Sequence, residues 1–154
     1  MTTILAIDPG SERSAWLVYS SPTGTILQRG IDANGDLLLK LRLGVPTQVV
    51  VIEKIESYGM AVGREVFDTV HWSGRFTEAV RPTPVVQLPR RDVKLAICGD
   101  SRAKDANIRQ ALIDRYGGKD AAIGRKAKPG PLYGISKDVW SALAIAVAYA
   151  DGAA

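Results

Sequence analysis

Apolar residues recur along this chain in short strand-like runs at first and in helical spacings later. Thr3-Ile4-Leu5-Ala6-Ile7-Asp8 reads as a buried strand closed by the turn Pro9-Gly10. Ala15 to Ser20 predicts a second strand and Thr25 to Ile31 a third, joined by the hairpin turn Pro22-Thr23-Gly24. Three strands with short turns predict an antiparallel meander. Asp36 to Leu43 carries leucines at helical spacing and is ended by Gly44-Val45-Pro46.

Gln48-Val49-Val50-Val51-Ile52-Glu53 is rich in β-branched residues, as in a strand covered on both faces. Like the first strand, it ends in a carboxylate. A longer helix is predicted over 62–80, a strand over Thr83–Leu88 and a short helix over Asp92–Ile97. An amphipathic helix follows over Ala103–Tyr116, stopped by Gly117-Gly118. Residues 119–134, rich in glycine, proline and basic side chains, read as a mobile basic loop. Ser136 is placed to cap a last helix from Lys137 to about Ala150, apolar nearly all round and so expected to be mostly buried. The order βββαβαβααα predicts an α/β fold, a mixed sheet with helices on its faces.

The chain has 154 residues, enough for one domain with its own core, and residues 1–154 are expected to form one. The single cysteine, Cys98, excludes an internal disulfide framework and suits a reducing cytoplasm. Cys98 is expected to be buried rather than reactive. The start lacks the basic residues and long apolar run of a signal peptide, and no stretch predicts a membrane span. Net charge is +4. Residues 90–128 hold 11 Lys+Arg against 5 Asp+Glu, so the positive charge lies there. That segment is either a solvated helical face or a phosphate-binding surface.

Asp8 and Glu53 close two strands, and Asp138 lies near the start of the last helix. Each has an ordinary explanation: a turn, a solvent-facing strand end, and a favourable charge at a helix start. If the two strands are neighbours and the helix packs on that face, all three carboxylates meet. Clustered carboxylates repel unless a cation joins them, and Mg²⁺ prefers oxygen ligands. His71, the only histidine, is expected to be structural or exposed, away from these acids.

These segments resemble the RuvC family of Holliday junction resolvases, of the RNase H-like superfamily, over almost the whole length. Ile-Leu-Ala-Ile-Asp-Pro-Gly at 4–10 is similar to the family's opening strand with its first metal-binding Asp. Val-Val-Val-Ile-Glu-Lys-Ile at 49–55 resembles the strand bearing its metal-binding Glu. Residues 90–104 resemble the family's basic helix and the following turn, and Lys-Asp-Val-Trp-Ser-Ala-Leu-Ala-Ile-Ala at 137–146 its last helix. In size and in the basic segment 119–134, the chain is similar to smaller phage-type members. A strand ending in Asp also opens actin-like ATPases, but this chain is too short for their second domain.

The resemblance implies an RNase H-like five-stranded sheet, three antiparallel strands then parallel ones, with helices on both faces. It implies an endonuclease of recombination and repair that resolves Holliday junctions and related branched DNA by two-metal-ion hydrolysis. Asp8, Glu53 and Asp138 would hold Mg²⁺, with Mn²⁺ as the alternative, and Lys94 and Lys104 would assist catalysis at the phosphate. Arg90, Arg91, Arg102, Arg125, Lys126, Lys128 and Tyr58 would bind the nucleic acid. Tyr58 and Met60 would wedge at a branch, or merely pack in their loop. The 62–80 helix matches the family's dimer-forming helix, so a homodimer is expected, in a bacterial cell or a phage-infected host. One departure stands out: Ser141 replaces a carboxylate on the last helix. Asp138 then acts alone, or Glu56 or Asp8 compensates. Two other readings remain: a nuclease cutting RNA–DNA hybrids or flaps, and a junction-binding module without catalysis.

Overall fold

The computed structural model describes residues 1–153. β1 (Thr2–Asp8), β2 (Arg13–Ser21) and β3 (Thr25–Ala33) form the antiparallel meander. α1 (Asn34–Leu43) leads to β4 (Val49–Lys54), which pairs in parallel with β1. α2 (Arg64–Ala79) crosses to β5 (Val85–Pro89), parallel to β4. The sheet has five strands in the order β3-β2-β1-β4-β5, antiparallel and then parallel as expected.

β1 and β4 occupy the middle, which explains their unbroken apolar runs: neither face meets water. Their side chains alternate between two cores. Ile4 and Ala6 of β1, with Val49 and Val51 of β4, join the core that contains α6 (Val139–Ala150). Leu5 and Ile7, with Val50 and Ile52, join the opposite core, where Leu37, Leu38 and Leu41 of α1 and Phe76 of α2 pack. Helices therefore cover both faces. α6 is buried through its alanines, Leu143, Ile145 and Val147, and small side chains let it lie close on the sheet. α3 (Arg90–Cys98) and α4 (Asp105–Arg115) share its side through Val93, Ile108 and Leu112.

Two local expectations change. The segment expected as a mobile loop is folded: it makes a single helical turn, α5 (Lys119–Ala122), then a small antiparallel hairpin of β6 (Gly124–Arg125) and β7 (Lys128–Pro129). Leu132 is buried and its N–H donates to the Ala122 carbonyl at 2.7 Å. Gly130 approaches that turn so closely that an added Cβ would stand 2.3 Å from the Ala122 oxygen. Arg29 of β3 donates to the Tyr133 carbonyl at 2.7 Å. The same glycines and prolines that suggest looseness here permit tight turns. The second change is at α6. Ser136 does not cap it; Asp138 is the residue at its N-cap, and its side chain makes no capping bond. Lys137 adopts φ 50°, outside helical backbone, so the helix begins later than the sequence suggests.

Candidate active site

The parity of the strands decides where the acids point. Ile7 of β1 stands beside Ile52 of β4 in the parallel register, so one step further Asp8 comes beside Glu53. Both have the parity of the α6-facing positions Ala6 and Val51. Two carboxylates thus leave the same face at the carboxyl ends of adjacent parallel strands, the usual place for ligands in such sheets. Asp138, at the start of α6, overlooks them from the layer above.

The electrostatics register this meeting. The Asp8 carboxyl is pushed up from 3.8 to about 8, first by burial and then by the charges of Glu53 and Asp138. Arg90 opposes the rise and Asp105 adds to it. Glu53 is also raised by burial, with Arg90 pulling it down and Asp105 and Asp138 adding to the rise. Arg90 Nη1 lies 3.4 Å from Glu53 Oε1, and Nη2 pairs with Asp105. This follows from the chain path: β5 pairs Leu88 with Glu53, and Arg90 opens α3 two residues later.

A cleft of about 350 Å³ opens beside the cluster. Its acidic wall is Glu53, Asp105 and Asp138, and its basic wall is Arg90, Arg109 and Lys137. Trp140 and Ser141 of α6 line it as well, and the Arg109 guanidinium lies over the Trp140 ring at 5.4 Å. The donor set suits a hard divalent cation, being all oxygen and, at Asp8, buried among like charges. As the side chains stand, no three His, Cys, Asp or Glu groups among the described residues converge tightly enough to grip one ion.

Several sequence-chosen residues lie elsewhere. Lys94 and Lys104 are not in the cleft wall; Lys94 is half-buried on α3, and exposed Lys104 precedes α4, its N–H donating to Asn107. Arg91 and Arg102 are exposed, and Arg125, Lys126 and Lys128 are exposed on the hairpin. Tyr58, with φ 53°, and Met60 stand exposed in the turn after β4. Glu56 is paired with Lys54 at 3.2 Å and does not line the cleft. His71 is exposed on α2. Cys98 is half-buried, and burial raises its thiol pKa. Asp105, Arg109 and Lys137 are cleft residues that sequence reasoning did not single out. The packing of α4 beside α3 and α6 brings in Asp105 and Arg109, and Lys137 comes in as the neighbour of Asp138.

The architecture, a mixed five-stranded sheet with helices on both faces, has the RNase H-like fold seen in RuvC. Two solved structures define that likeness: a Thermus thermophilus RuvC structure, and T. thermophilus RuvC in complex with Holliday junction substrate. The first superposes with TM-score 0.74 at 16% identity, covering 97% of this chain and 93% of that one. The second gives 0.74 at 17% identity with the same coverage. No family model matches the sequence. No curated protein matches it either. At these identities the likeness is one of fold.

Proposed function

We propose that this protein is a divalent-metal-dependent endonuclease that nicks branched DNA, with four-way junctions as its principal substrate. The observation that carries the reading is the placement of Asp8 and Glu53 on one face of adjacent parallel strands, with Asp138 above them and a basic-walled cleft alongside. The fold likeness supports it, since one of the two neighbours was solved with a Holliday junction.

Asp8, Glu53 and Asp138 would hold Mg²⁺ or Mn²⁺, which would supply an activated water and stabilise charge on the leaving oxygen. The chain's own work is to bind and orient. Arg90, Arg109 and Lys137 present cations at the cleft, where a phosphate can sit. Arg91, Arg102, Lys94 and Lys104 extend the positive surface along α3 and the start of α4, and Arg125, Lys126 and Lys128 extend it onto the hairpin. Cleavage would leave a 5′-phosphate and a 3′-hydroxyl. Phe67 and Val70 on the outer face of α2 are exposed and suit pairing with a second copy.

The test is nicking of a synthetic four-way junction with and without Mg²⁺. Asp8→Asn is expected to lower nicking at least about a thousandfold while junction binding survives. Full activity in that variant would remove the metal assignment. A flap and an RNA–DNA hybrid assayed alongside separate the alternative nuclease reading. A junction-binding module without catalysis is the second reading, favoured by Ser141 standing where the family resemblance implies an acid; under it, no divalent ion yields nicks.

A further inference from the structure

We infer that Arg90 is the resident counter-ion of the carboxylate cluster, a latch held by Asp105 that lets go of Glu53 when a divalent cation enters. This rests on the nuclease reading and assigns Asp105 the part of a positioning residue.

Arg90 has two acidic partners of opposite character. Glu53 is its inner partner, with a side chain only 12% exposed, while Asp105 is its outer partner, 80% exposed. The contact of Nη1 with Glu53 is 3.4 Å, at the weak end of hydrogen bonding, and Nη2 pairs with Asp105. The guanidinium therefore bridges a buried acid and an exposed one, with a different nitrogen facing each.

That placement offsets part of the repulsion in the cluster. Glu53 sits beside Asp8 and Asp138 with a cation already against it, and that cation is a side chain. A guanidinium spreads one charge over a plane. A divalent ion brings two charges to a point and takes carboxylate oxygens directly, so both cannot hold Glu53 Oε1 at once. Once displaced, Arg90 keeps a second partner at the cleft wall in Asp105, at the start of α4. Its remaining donors are then free for a phosphate oxygen, with the fork geometry such contacts need. The exchange makes metal entry and phosphate capture successive uses of one side chain. A lysine in its place would lack the second arm for Asp105.

Mn²⁺ titrated into DNA-free protein, followed by calorimetry or electron paramagnetic resonance, tests this without any turnover. Arg90→Gln is expected to tighten Mn²⁺ binding about three- to tenfold, although it weakens junction nicking. Asp105→Asn is expected to weaken Mn²⁺ binding by a similar factor, because Arg90 then settles on Glu53. In the double variant, Asp105→Asn should add almost nothing to Arg90→Gln, since Asp105 acts through Arg90. Unchanged or weaker binding in Arg90→Gln overturns the latch. So does an undiminished Asp105→Asn effect in the double variant, which would make Asp105 a simple nearby charge. Should Arg90→Gln fail to fold, Asp105→Asn alone decides: unchanged or tighter Mn²⁺ binding refutes the proposal. The parent reading is judged separately. If unaltered protein shows no Mn²⁺ binding that Asp8→Asn removes, the metal site itself is lost; if it does, only the latch is at stake.

Discussion

Asp8 is the residue on which charge and folding most directly conflict. Its carboxyl is pushed from 3.8 to about 8 by burial and by Glu53 and Asp138, so the fold favours its protonated form. The sign follows: the folded state holds this proton more tightly than the unfolded chain. Its contribution to stability is complete below about pH 3.8 and drains away as the pH rises towards 8. Asp8→Asn removes that drain. In metal-free buffer, the variant should gain stability over the unaltered protein between pH 4 and 8, by about 1–3 kcal/mol at the upper end. Thermal unfolding in chelator at several pH values measures the gap, and parallel curves would contradict it. Saturating Mg²⁺ should narrow the gap, because the ion relieves the same repulsion.

At the scale of elements, the hairpin is the departure from expectation with the clearest consequence. Arg125, Lys126 and Lys128 are carried on a folded ribbon between α5 and α6. Replacing all three by alanine should weaken junction binding and lower the slope of log affinity against log salt by about 2–3, with the nicking of bound junction little changed. Filter binding over a salt series reads this, and an unaltered slope would place the DNA elsewhere. The sequence made most elements legible because the sheet interior demands unbroken apolar runs and α6 is apolar all round. It also fixed the parity of Asp8 and Glu53, hence their common face once β1 and β4 pair. The hairpin escaped because its order depends on Gly130 packing against Ala122 and on buried Leu132, contacts with no periodic signature. Asp105 and Arg109 escaped for a related reason. Their approach to Arg90 and Trp140 is set by how α3, α4 and α6 pack, and composition near residue 105 gives no direction.

For the whole molecule, the outer face of α2 matters most. Phe67 is 64% exposed and Val70 48%, one turn apart, on a helix whose other side packs through Phe76. A junction with twofold symmetry would meet two cleavage sites if two copies joined through this face. Phe67→Glu with Val70→Glu should convert a dimer into a monomer by sedimentation and reduce paired nicking of a junction, while leaving the thermal midpoint nearly unchanged. An assembly state indifferent to both substitutions would place the interface elsewhere, as would monomeric unaltered protein.

The start of β4 offers a last consequence. The Thr3 carbonyl accepts from the Thr47 hydroxyl at 2.8 Å and from the Gln48 N–H at 3.0 Å, pinning the incoming strand against β1. A slip of one residue there would exchange inner and outer faces along the entire strand, turning Glu53 towards the Leu41 side and presenting Ile52 to Asp8. The strand can therefore trade one aliphatic side chain for another, but a single-residue insertion or deletion within it would dismantle the carboxylate cluster even if the domain still folded.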